Sequence, residues 1–165
     1  MTLAELNAAP QPVVMRELQL CCGSARWVAA MVSRRPFPNE DALIRAAEEC
    51  WWALGSSDWL EAFSHHPRIG DRAAGWAADE QAGVRGASDD TTRQLATLNR
   101  QFERKFGHVF LIFASGKDAA TMLAELQRRI ASDPAAELRT AAAEQAKITA
   151  VRLQRLLTSS APGAP

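Results

Sequence analysis

The sequence predicts an all-α protein, one domain built as a bundle of about seven to nine helices. Apolar residues recur at 3.6-residue spacing along most of its 165 residues, as helices with one buried face require. Ser, Thr, Asp or Asn stands just before most of these runs, where a side-chain oxygen can cap free backbone N–H groups. Glycines and prolines fall between the runs rather than inside them. The length suits a single domain with a substantial core, and no internal repeat divides it.

Thr2-Leu3-Ala4-Glu5 is a capping box, so a short helix opens the chain and Pro10 stops it. Pro12 suits the first turn of a second helix that ends near Gly23. Ser24 caps a third, through Trp27, Val28 and Met31, which Arg34-Arg35-Pro36-Phe37-Pro38 breaks. Asn39 caps a fourth from Glu40 to Leu54, with Leu43, Ile44, Ala47, Cys50, Trp51 and Leu54 on its apolar face. After Gly55-Ser56-Ser57, a short helix carries Trp59, Leu60 and Phe63. Ser88-Asp89-Asp90 starts the next, about Asp90 to Phe106, which buries Leu95, Leu98, Phe102 and Phe106 and ends on Gly107. His108 to Ala114 is a continuous apolar run of strand-like composition with no second strand to pair with, and it predicts a short buried extended segment. Helix returns from Asp118 to Ala131, with Ala119, Met122, Leu123, Leu126 and Ile130 on one face. Asp133-Pro134 then opens a long last helix to about Thr158. The domain is expected over residues 1–158, with a flexible tail over 159–165.

Composition narrows the function. Apolar residues at 47% and charged residues at 23% are ordinary globular values, and 19 basic residues balance 19 acidic ones. Interspersed charges of zero net sum argue against nucleic acid or an anionic membrane as the main partner and for a small polar ligand or a protein. Three cysteines, two of them adjacent (Cys21, Cys22), form neither a disulfide framework nor a zinc pattern. Buried thiols in a reducing compartment are expected. No signal-like pattern opens the sequence, no apolar run approaches the ~20 residues that span a bilayer, and the last residues are not a peroxisomal address. The expectation is a soluble, cytoplasmic chain.

Polar chemistry concentrates between Trp59 and Val84. This stretch holds two of the three histidines (His65, His66), Pro67, Arg68, Gly70, Asp71, Arg72 and then Glu80-Gln81-Ala82-Gly83. Clustered polar groups on loops between rigid elements are where sites are commonly built. Pro67 restricts the backbone of His66 before it, which suits an imidazole that must be aimed; a surface or helix-end histidine is the plainer reading. Glu80, taken alone, reads as a solvated helix carboxylate. On the last helix Arg152 shares a stripe with Leu138, Ala141, Gln145, Ile148 and Leu156. An arginine there either snorkels or grips a ligand with its planar fork, and Gln145 is its candidate polar neighbour. Phe110, Ile112, Phe113 and Ala114 are either core or pocket lining, because buried chain outside helix and sheet has backbone groups that need partners.

His66-Pro67-Arg68-Ile69-Gly70-Asp71, then Glu80-Gln81-Ala82-Gly83, then Lys105-Phe106-Gly107 and Phe110-Leu111-Ile112-Phe113-Ala114, resembles the OHCU decarboxylase family over about residues 3–157. That family comprises cofactor-free lyases that convert 2-oxo-4-hydroxy-4-carboxy-5-ureidoimidazoline to (S)-allantoin at the end of urate oxidation. The resemblance implies His66 and Glu80 as catalytic residues. It implies Pro67, Gln81, Phe110, Ile112, Phe113, Ala114 and Arg152 as substrate-binding residues, no cofactor, no metal, and a homodimer. One departure stands out: Ala77 occupies a position where many relatives carry serine. Two other classes remain, a metal-dependent hydrolase of the same ureide pathway and a non-catalytic helical interaction module. The first would need ligands from His65, His66, Asp71 and His108, whose spacing is unlike paired metal ligands. The second is suggested by the five tryptophans at 27, 51, 52, 59 and 76.

Overall fold

The computed structural model describes residues 1–71, 75–84 and 86–158, and these form nine α-helices and no strand. The all-α expectation holds. Arg72 and the tail over 159–165 lie outside the described residues.

Helix α1 (Leu3–Ala8) opens on Thr2. The Thr2 side chain accepts from the Glu5 N–H, and the Glu5 carboxylate accepts from the Thr2 N–H at 2.7 Å, a reciprocal capping box. Helix α2 (Gln11–Cys21) has proline in its first turn. Helices α3 (Ala25–Ser33) and α4 (Glu40–Trp52) are capped by Ser24 and Asn39. Helix α5 (Ser56–Ser64) follows; α4 ends two residues before the expected Leu54. Helix α7 (Asp89–Phe106) is capped by Ser88 and closes on Gly107 at φ 76°, the left-handed conformation that glycine adopts without penalty. Helix α8 (Ala119–Arg129) begins on Asp118, and α9 (Pro134–Thr158) runs 25 residues.

The polar stretch is more ordered than a plain loop. It contains α6 (Trp76–Glu80) and a 3-10 turn, Ala82–Val84. The five residues of α6 are too few to show a period, so the pattern could not reveal them.

The chain forms two compact units, Met1–Ala62 with the chain from Ala146, and Phe63–Gln145. In the first, Leu6, Val14, Leu18, Trp27, Met31, Leu43 and Leu153 are wholly buried, and the Trp27 indole N–H donates to the Ala47 carbonyl at 3.0 Å. In the second, Ile69, Leu95, Phe102, Phe110, Ile112, Met122 and Leu126 make one apolar cluster. No helix among the described residues is long and apolar enough to cross a membrane.

Candidate active site

Helix α5 ends in a turn in which the His66 N–H donates to the Phe63 carbonyl at 3.0 Å. His65 is exposed, whereas His66 and Pro67 are half-buried. The chain then turns sharply, with the Asp71 N–H on the Arg68 carbonyl and Gly70 at φ 91°. Three tethers hold this turn. Arg68 grips Glu103 of α7 with Nε to Oε1 at 2.5 Å and Nη2 to Oε2 at 2.9 Å, a bidentate fork. The Ile69 carbonyl accepts from Asn99 Nδ2 at 3.0 Å, and the Gly70 N–H donates to Gln81 Oε1 at 3.0 Å. Since the Gln81 oxygen is occupied, its amide N–H groups are what it can offer a ligand.

The His66 imidazole meets an unexpected partner. Its Nε2 lies 2.8 Å from Oε1 of Gln145 on α9, a side chain with 0% exposure.

Glu80, at the end of α6, is 8% exposed, which removes the solvated reading. Among the described residues its neighbour Ala77 is half-buried and brings no hydroxyl. Gly83 has a separate reason to be glycine: a Cβ there would lie 1.8 Å from the Lys117 carbonyl oxygen. The turn after Glu80-Gln81 therefore packs directly on the backbone that starts α8.

Residues 109–114 are neither helix nor strand, and Phe110, Leu111, Ile112 and Ala114 are buried. Charged side chains take over the hydrogen bonds a sheet would make. Arg129 Nη1 donates to the Leu111 carbonyl at 2.7 Å, Glu144 Oε2 accepts from the Phe113 N–H at 2.7 Å, and Lys117 Nζ donates to the Phe113 carbonyl at 2.6 Å. Arg129 is itself held by Glu137, both at 1% exposure or less, and its guanidinium lies 4.7 Å from the Phe110 ring centroid. Between these anchors, the backbone N–H and C=O of Ile112 make no hydrogen bond among the described residues.

Arg152 belongs to the other unit. It is half-buried and donates from Nη1 to the Leu20 carbonyl at 3.3 Å. Burial pushes the neighbouring Cys21 thiol up to about 12 and Cys22 up to about 11, against the opposing pull of the Arg152 charge. His108 is buried among Phe63, Phe102 and Phe106, with Nδ1 2.9 Å from the Val109 carbonyl oxygen. Among the described residues, no group of three His, Cys, Asp or Glu side chains could hold a metal ion.

Sequence reasoning missed Asn99, Arg129, Glu137 and Glu144. Each has a polar side chain on an amphipathic helix, and only the partner distinguishes it from a solvated one.

The family model for OHCU decarboxylase matches residues 7–154. A uric acid degradation bifunctional protein of Arabidopsis thaliana is 34% identical over 154 residues, covering 88% of this chain and 48% of the relative, so the chain spans about half that protein's length. A mouse 2-oxo-4-hydroxy-4-carboxy-5-ureidoimidazoline decarboxylase is 34% identical over 78% of this chain and 77% of its own. Among solved structures, an OHCU decarboxylase crystallised in the presence of (S)-allantoin superposes with a TM-score of 0.79 at 35% identity, covering 86% of this chain and 97% of that one.

Proposed function

The chain belongs to the OHCU decarboxylase family, and on that premise we propose that it converts 2-oxo-4-hydroxy-4-carboxy-5-ureidoimidazoline to (S)-allantoin and CO2 in urate degradation. The substrate carries a carboxylate and a hydroxyl on one ring carbon, next to a carbon doubly bonded to nitrogen. When the bond to the carboxylate breaks, its electron pair moves into that C=N system and the ring nitrogen takes up the charge. Uptake of a proton by that nitrogen, transfer of the hydroxyl proton away and delivery of a proton to the neighbouring carbon then give the N–H, carbonyl and C–H of allantoin. The ring is its own electron sink, so the protein's tasks are orientation and proton transfer.

In this proposal His66 moves the proton at the hydroxyl, since imidazole titrates near working pH. Glu80 accepts from ring or ureido N–H groups and disfavours the ground-state carboxylate through like charge. Gln81 and Arg152 anchor polar groups of the substrate, with Pro67, Phe110, Ile112, Phe113 and Ala114 lining its seat. The observation that carries this reading is the buried Ile112 peptide. Its donor and acceptor lack intramolecular partners among the described residues, while Leu111 and Phe113 beside it are engaged by charged side chains. Buried backbone groups are nearly always paired, and a ring rich in N–H and C=O groups supplies the partners. A homodimer and a cytoplasmic location are part of the proposal on family grounds.

The test is a coupled assay. Uricase and hydroxyisourate hydrolase generate the unstable substrate, and its decay and the circular dichroism of the allantoin are followed with and without chelator. The expected result is fast decay to optically active allantoin, unchanged by chelator, and a loss of roughly 10²–10⁴-fold in His66→Ala with the fold intact. Decay at the spontaneous rate to racemic allantoin would overturn the proposal.

A further inference from the structure

Gln145 has no role in the reaction as proposed above, yet it is wholly buried and its amide oxygen lies 2.8 Å from Nε2 of His66. We infer that Gln145 is a positioning residue that fixes the His66 ring with its proton on Nε2 and its basic lone pair on Nδ1. This rests on the assignment of His66 as the proton carrier.

The geometry is local and specific. Helical side chains lean back over the preceding turn, and one turn before Gln145 stand Ala141 and Ala142, both wholly buried. Small residues there leave room for a long side chain to lie along the helix face and meet the ring. The adjacent Glu144 takes the Phe113 N–H at 2.7 Å. One turn of α9 thus sets both the His66 ring and the 109–114 segment, so their relative placement comes from one rigid element.

The chemistry follows from the amide. An oxygen facing Nε2 only accepts, so Nε2 carries the proton in the neutral ring. Proton uptake and release then occur at Nδ1. A carboxylate in the same place would orient the ring equally well but would also favour the imidazolium. The amide aims the ring without adding charge.

The contact is read first without any variant, by NMR of the protein labelled with 15N in histidine. The expected result is a downfield, slowly exchanging Nε2–H proton for His66. Tautomer alone is a weak readout, because free histidine already leans to the Nε2–H form; slow exchange is what the buried acceptor adds. Gln145→Leu, close in volume and without a polar group, should lose that slow proton and lower kcat roughly 10- to 100-fold with little change in KM. Gln145→Glu, which still accepts from Nε2, should keep the proton. An Nδ1–H ring in the unmodified protein, or a Gln145→Leu protein with unchanged Nε2–H exchange and unchanged kcat, overturns the inference. The two readings fail separately. If the unmodified protein shows the slow proton but does not decarboxylate the substrate, the proposed function falls and the His66–Gln145 contact stands.

Discussion

Removing Arg129 tests whether the buried Arg129–Glu137 pair is the anchor of the 109–114 segment. Arg129 Nε lies 3.1 and 3.2 Å from the two Glu137 oxygens, Nη2 also meets Oε1, and Nη1 reaches the Leu111 carbonyl at 2.7 Å. Arg129→Met keeps most of the aliphatic stem and leaves the Glu137 carboxylate at 0% exposure without its cation. Breaking a buried pair on one side costs about 3–5 kcal/mol, and the stranded Leu111 carbonyl adds about 1–3 kcal/mol. At about 2–4 °C per kcal/mol for a chain of this size, Tm should fall by roughly 8–32 °C. Urea unfolding followed by circular dichroism measures the loss directly. Arg129→Met with Glu137→Leu removes both charges and leaves only the Leu111 carbonyl unmatched. The double variant should therefore return to within about 1–3 kcal/mol of the parent, a coupling of at least about 3 kcal/mol in the cycle. A single variant that costs less than about 1 kcal/mol, or a double variant as unstable as the sum of its singles, would refute the anchoring role.

Three further outcomes follow from particular atoms. Gly83→Ala places a Cβ 1.8 Å from the Lys117 carbonyl oxygen. The two backbones must separate, so a loss of about 1–3 kcal/mol should appear in thermal melts together with reduced turnover. Cys21 and Cys22, with thiols pushed up to about 12 and about 11 from 9.0, favour the neutral form in the folded state. Their stabilising contribution is complete below pH 9, the free-thiol value, and is lost as pH rises toward those values. At pH 8 the three-unit rise at Cys21 alone cuts its thiolate population roughly 10³-fold, so iodoacetamide should modify these residues only after denaturation. Arg152→Lys keeps the charge and loses the planar fork. KM should rise roughly tenfold, about 1.4 kcal/mol, with kcat changed less, as steady-state kinetics would show.

The helices that could be read from the sequence are those whose start is a local event. Thr2, Ser24, Asn39, Ser88 and Asp118 each accept a backbone N–H three residues on, and such a contact is written in the order of residues. Helix α6 has Gly75 at φ 58° before it and no side-chain cap, so neither period nor cap announces it. The same division holds in the candidate site. His66 is marked by Pro67 next to it, but Gln145 stands 79 positions away and reads as one more residue on a stripe. Arg129 reads as a basic residue in the last turn of α8, where exposure is the rule. Its burial depends on Glu137 and on a carbonyl 18 positions earlier.

The irregular backbone at 109–114 links fold to chemistry. In a sheet, both the N–H and the C=O of Ile112 would be consumed by a neighbouring strand; in a helix, by the turns before and after. Either way no peptide edge would remain for a ring to pair with. Leaving the segment outside both states exposes its neighbours to the cost of unpaired buried groups, at about 1–3 kcal/mol each. Arg129, Lys117 and Glu144 offset that cost at Leu111 and Phe113. A neutral donor would satisfy the same atoms, but charged groups bond a carbonyl or N–H about twice as strongly and hold it against thermal drift. The buried Glu137 is then needed to compensate Arg129. A costly ion pair in the core thus accompanies an irregular segment whose Ile112 peptide makes no hydrogen bond among the described residues.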